Sequence, residues 1–128
     1  MSVKIMMAVA AGGAIGAVGR YGMTSVAAHW FSVGFPYGTL LVNLIGSFVL
    51  GLLFEASILV WSPQEELRAF LFVGVLGGFT TFSGFSLDVY QLWSRGDIWL
   101  TAIYVGVSVV LCILCFFAGL AILRAILT

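Results

Sequence analysis

Charge is what this chain has least of. Five basic and five acidic residues make up 8% of its 128 positions and cancel to zero. A soluble domain carries about 25% charged residues, so an aqueous fold is excluded, and without a basic surplus nothing points to a nucleic-acid partner. No polar segment is long enough to build a separate aqueous domain. Cysteine is confined to Cys112 and Cys115, three apart in an apolar run. With no further cysteine or histidine beside them, they read as small packing residues rather than as a redox or metal motif. The single histidine, His29, lies near a helix end with no nucleophile or metal partner in view, so an enzyme is not expected.

What is present in quantity is hydrocarbon. The chain is 62% hydrophobic, with a mean hydropathy of +1.21, and reads as an integral membrane protein. Four apolar segments, at about 3–31, 38–61, 67–93 and 98–126, each reach the ~20 residues that a helix needs to cross a bilayer. The joints are short: 32–37 with Gly34 and Pro36, 62–66 with Pro63, and 94–97 with Gly96. The expectation is one all-α transmembrane domain over 1–128, an antiparallel bundle with both termini on one side. The start of the chain imitates a secretory signal, with Lys4, an apolar run and Ser25-Val26-Ala27. Gly12 and Gly16, however, form a G-x-x-x-G face suited to close helix contact, so the segment is expected to stay as a membrane helix.

Orientation is weakly specified. A chain that weaves in and out places Lys4, Arg68 and Arg124 on one side and Arg20 and Arg95 on the other, almost no positive-inside bias. That balance suits insertion in both directions, and suits equally a short chain with few charges.

Polar groups inside the apolar runs fall into rows. Thr39, Asn43 and Ser47 recur every four residues in the second segment, and Thr101, Tyr104, Ser108 and Cys112 share one face of the fourth. An amide in hydrocarbon needs a partner, so such rows either glue helices together or line a path. The third segment holds the densest cluster, Gly77-Gly78-Phe79-Thr80-Thr81-Phe82-Ser83-Gly84-Phe85-Ser86. Adjacent glycines favour unwinding, and unwound backbone at membrane depth is tolerated where it is buried or lines a wet cavity. The third helix is therefore predicted to bend over Gly77 to Thr80. The edge of a phenyl ring is electropositive, so Phe82 and Phe85 suit a small anion. Glu55 is expected to snorkel to the interface, and Arg20 is either an interfacial anchor or an attractor of anions at a vestibule.

These residues resemble the Fluc fluoride channels of bacteria, also called CrcB. The likeness covers almost the whole chain: Gly12-Gly13 to Arg20-Tyr21, Gly38-Thr39 with Val42-Asn43 and Gly46, and Gly77-Gly78 with Thr80-Thr81-Phe82-Ser83 and Phe85-Ser86. The resemblance implies an antiparallel, dual-topology homodimer in the bacterial inner membrane, with two pores through which fluoride leaves the cytoplasm passively. It implies a structural sodium ion at the dimer centre, held by carbonyls of Gly77 and Thr80. It further implies that Phe82, Phe85 and Asn43 contact fluoride, that Thr39, Ser83, Tyr104 and Ser108 line its route, and that Arg20 sits at the vestibule. Two departures stand out. Gly84 replaces a usual threonine, removing a hydroxyl, and Asp88 replaces a common glutamate. Two rivals remain on the residues alone. A small dual-topology drug exporter would want a glutamate in its first helix, and none lies between Ser2 and Phe35. A non-conducting scaffold subunit would use the polar rows as glue.

Overall fold

The structure, a computed structural model describing residues 1–128, is all helical. Val3–Trp30, Tyr37–Leu59, Glu65–Ser94 and Ile98–Leu127 are each long and apolar enough to cross a membrane, and we number these spans one to four. Even the 23-residue second span covers the ~30 Å hydrocarbon core at ~1.5 Å per residue. The third starts at Glu65, ahead of the expected 67. Gly96, at φ 85°, takes the left-handed conformation that lets the chain turn between spans three and four. Arg95 fastens that turn, its Nη2 donating to the Gly34 carbonyl at 2.9 Å and facing Asp97 at 3.3 Å.

Two tight crossings hold the bundle, and each joins alternate spans. Gly12 and Gly16 of the first span lie against the leading half of the third. A Cβ on Gly16 would strike the Val75 carbonyl oxygen and approach the Phe79 nitrogen to 2.8 Å. From the other side, a Cβ on Gly78 would come within 2.6 Å of the Gly13 carbonyl oxygen. The close contact expected of the G-x-x-x-G face is thus made with the third span. Spans two and four repeat the device, with Gly51 against the Phe116 carbonyl and Gly119 against that of Phe48. Pairs further along each crossing rise together, Gly12 with Gly74 then Gly16 with Phe79, and Gly51 with Phe116 then Glu55 with Arg124, so these partners run parallel, while neighbours in sequence run antiparallel. Without a hydrophobic drive between helices in lipid, backbone-to-backbone approach of this kind supplies the packing energy.

Beyond the second crossing, Arg124 Nε donates to Glu55 Oε1 at 2.6 Å. Glu55 is 1% exposed whereas the Arg124 side chain is 64% exposed. Glu55 therefore does not snorkel to the interface as expected. It turns inward because the fourth span brings a cation to it, and a buried carboxylate is tolerated when paired.

The third span is composite. Glu65–Arg68 is α-helical, Ala69–Leu76 is π-helical, and Gly77–Phe79 returns to α geometry. Thr80 and Thr81 are then extended, at φ/ψ −83°/159° and −152°/118°, and Phe82–Ser94 resumes the helix. The break is real and falls at the far end of the expected stretch, at Thr80, and on Thr81 beyond it. Gly77 is helical, at −64°/−35°, and Gly78 is kept small by the first span, so Gly78 serves contact rather than unwinding.

Candidate functional site

The break is held open by side chains that replace the missing helical hydrogen bonds. In an uninterrupted helix the Thr81 N–H would donate to the Gly77 carbonyl; here it donates to Asn43 Oδ1 at 2.8 Å. Asn43 Nδ2 in turn donates to the Thr81 carbonyl at 3.1 Å. The amide of Asn43 thus pairs with both polar groups of one residue, as a neighbouring strand would, and fixes Thr81 in extended form. Thr81 then caps the trailing helix, its Oγ1 accepting from the Gly84 N–H at 2.9 Å, which satisfies one orphan donor of the new N-terminus.

On the other side of the break, the Leu76 carbonyl accepts from the Thr80 N–H and from Thr80 Oγ1, at 3.0 and 2.9 Å. Arg20 Nε donates to the Gly78 carbonyl at 3.1 Å. Arg20 is therefore a cap on the broken helix, anchored from the first span. Interrupting the helix takes the i+4 donors from the carbonyls of Gly77, Gly78, Phe79 and Thr80, and Arg20 replaces the one lost by Gly78. Gly77 loses the Thr81 N–H to Asn43, and Thr80 loses the Gly84 N–H to Thr81 Oγ1. Free carbonyls at membrane depth are the kind of oxygen that hard cations take.

A cavity of about 400 Å³ opens against the break. Among the expected site residues it gathers Asn43, Gly77, Thr80, Phe82, Phe85 and Ser108. Ser47 and Cys112, members of the polar rows, also line it. No charged side chain does. The two phenylalanines differ sharply, for Phe82 is 77% exposed and Phe85 only 7%. Their ring centroids lie 5.3 Å apart with planes tilted by 53°, so the rings present edges as well as faces. Ser108 is 5% exposed and its Oγ has no hydrogen-bond partner. A buried hydroxyl without a protein partner is a group that a ligand can satisfy.

The remaining expected residues stand outside this lining. Tyr104 is fully buried, packed between Phe85 and Phe35, and donates from its hydroxyl to Asp88 Oδ2 at 3.0 Å. Thr39 stands beside it on the second span. Ser83 is exposed, with its Oγ 3.2 Å from Thr81 Oγ1. Asp88 opens on a second, smaller cavity of about 220 Å³, shared with Gln91 and Arg95 near the 32–37 joint. Sequence reasoning missed Thr81 as the hub of the break. Its signal was a residue of N-cap type directly ahead of the resumed apolar helix, which the run of glycines and phenylalanines overshadowed.

Residues 7–120 match the family described as CrcB-like protein, Camphor Resistance (CrcB). The chain is 53% identical over 122 residues to the fluoride-specific ion channel FluC of Rhodospirillum centenum, covering 94% of this chain and 96% of that one. It is 49% identical over 116 residues to the protein of the same name from Agrobacterium fabrum, with 91% and 93% covered. A third, from Rhizobium etli, is 48% identical over 118 residues, with 92% and 94% covered.

Proposed function

The chain belongs to the CrcB-like family, and on that premise we propose that it is a fluoride-selective channel through which fluoride leaves the cytoplasm passively, relieving its toxicity. The observation that carries the reading is the lining of the cavity at the break: hydroxyls, an amide and phenyl edges, with no fixed charge. Fluoride is small and tightly hydrated, so a pore must replace its water with several donors yet release it. A buried lysine or arginine in the path would hold the anion too long. Chloride is larger and gains less from strong donors, so a narrow route of this composition rejects it. In acid surroundings neutral HF enters a cell, ionises near neutral pH and is trapped, and the membrane potential then drives the anion out.

The working form in this reading is an antiparallel, dual-topology homodimer in the bacterial inner membrane. Two features support a second copy. Phe82 is exposed at the edge of the cavity, and the balanced charges on the two sides leave either insertion open. Sodium is the resident ion of this reading, held by the Gly77 and Thr80 carbonyls of both copies. The donor set fits, because those carbonyls are among the ones that lose their helical donors at the break. When bound, sodium supplies a positive charge at the dimer centre. The chain's own residues do the rest: Asn43 and Thr81 fix the break, Ser108 and Phe85 shape the cavity wall, and Phe82 completes it from the rim.

The drug-exporter alternative gains no support, since the one buried carboxylate, Glu55, is paired to Arg124 rather than facing the cavity. Purified protein in liposomes tests the proposal. Fluoride efflux is expected with little chloride efflux, and Phe82→Ile is expected to depress it strongly. A folded dimer that passes neither ion sinks the channel reading, and undiminished flux in the Phe82 variant removes that ring from the mechanism.

A further inference from the structure

We propose that Cys112 makes this channel sensitive to thiol-directed electrophiles: a small reagent that enters the cavity couples to the Cys112 sulfur and stops fluoride flux. The inference rests on reading the cavity as the fluoride route. Its site, however, stands on geometry of its own.

Cys112 lies one turn beyond Ser108 on the same face of the fourth span, and both line the cavity with Ser47 and Asn43 of the second. Ser108 Oγ, buried and without a protein partner, marks this wall as one that meets a ligand. Cys112 is half-buried and its sulfur is free. Every other polar group in the lining is a hard oxygen or amide, so the thiol is the only soft nucleophile there. Cys115, equally half-buried and free, does not line the cavity. The two cysteines differ in access to this space, and each serves as the other's control. The cavity, at about 400 Å³, falls in the ~300–1,000 Å³ range that takes small molecules.

With methyl methanethiosulfonate the step balances. The Cys112 thiolate attacks the sulfenyl sulfur, a new S–S bond forms as the S–SO₂ bond breaks, methanesulfinate leaves, and the thiol proton goes to buffer. The product carries a methylthio group where a polar S–H stood, between Ser47 and Ser108. An anion that must trade its water for donors meets an apolar plug at that point. A dithiol reductant reverses the step by exchange, taking the methylthio group and returning the Cys112 thiol.

The test uses the full chain reconstituted in liposomes, with fluoride efflux and peptide mass spectrometry read on the same samples. Treatment is expected to label Cys112 and leave Cys115 unlabelled. Efflux is expected to fall about tenfold or more relative to the same untreated sample, with dithiothreitol restoring it. Cys112→Ser should keep whatever flux it has under treatment, and Cys115→Ser should remain sensitive. The proposal is overturned if Cys112 stays unlabelled in liposomes while labelling in denaturant, if it labels without loss of flux, or if Cys112→Ser is still inhibited. Absence of flux before any treatment overturns the channel reading instead, and selective labelling of Cys112 over Cys115 then decides the site by itself.

Discussion

Two places on the third span, a few residues apart, treat the backbone in opposite ways. Where it crosses the first span there is no room for a methyl group, as Gly16 and Gly78 meet carbonyl oxygens and nitrogens directly. At Thr80 and Thr81 the helix opens onto a cavity. The crossing is built by removing side chains, and the opening is built by adding them, through Asn43, Thr81 and Arg20. The difference teaches that a break in a membrane helix is not a weak point left by glycine. It is a place where other groups take over the hydrogen bonds that the helix gives up. The crossing then keeps the leading half of the span fixed while the trailing half changes course.

The sharpest way to break this comparison is to put a methyl group where the crossing forbids it. Gly16→Ala drives a Cβ into the Val75 carbonyl, and since the obstacle is backbone on both sides, neither helix can yield by a rotamer change. Overpacking of this kind costs about 3 kcal/mol, a large share of the stability of a small protein. The expected outcome is little or no monodisperse protein on size exclusion in detergent. Normal elution with an unchanged thermal midpoint refutes the claim that the crossing is closed.

The opening is tested by Asn43. In Asn43→Leu the Thr81 N–H and carbonyl both lose their partner, and each unsatisfied buried group costs about 1–3 kcal/mol. Because the crossing is untouched, the expected result is a protein that still folds, with a lowered thermal midpoint and fluoride efflux lost. Asn43→Asp keeps an acceptor for the Thr81 N–H but removes the donor to its carbonyl, so it should fall between the two. Asn43→Leu with normal efflux places the control of the break elsewhere.

The membrane class, the four spans and the crossing face of Gly12 and Gly16 were legible because hydropathy and small-residue spacing act locally along one helix. Asn43, Phe82, Phe85 and Ser108, named from the recurring polar rows and the family resemblance, line one cavity. The exact place of the break was not legible. Thr80 and Thr81 open because Asn43, on a different span, outcompetes the helix for Thr81, and no pattern within the third segment announces that competition. Glu55 is a similar case, since an isolated carboxylate near a helix end reads as interfacial until Arg124 is known to reach it. The π-helical stretch Ala69–Leu76 has no signal in its residues that we can name. Gly84, unexplained as a departure from the family pattern, gains a partial account: its N–H caps onto Thr81, and a Cβ there would approach Thr81 Cγ2 to 2.8 Å. A threonine at that position would require the capping side chain to shift.

The smallest expected effect sharpens the comparison most finely, because it concerns the glycine next to a closed one. Gly13 adjoins Gly12 in the same helix, yet a Cβ built on it meets nothing within 4 Å, whereas one on Gly12 strikes the Phe70 carbonyl oxygen. What presses on Gly13 is its backbone, the surface against which Gly78 rests, and adding a side chain on the open flank leaves that surface as it is. Alanine is the better helix former by about 1 kcal/mol, so Gly13→Ala should keep its efflux and raise the thermal midpoint slightly. Placed beside Gly16→Ala, it separates two explanations of a glycine-rich helix. If the run is glycine because the helix must be flexible, both substitutions impair the protein; if individual glycines are needed only where another backbone arrives, one collapses the fold and the other stabilises it. Thermal unfolding of the two variants in the same detergent decides between them, and a destabilised Gly13→Ala counts against the contact explanation.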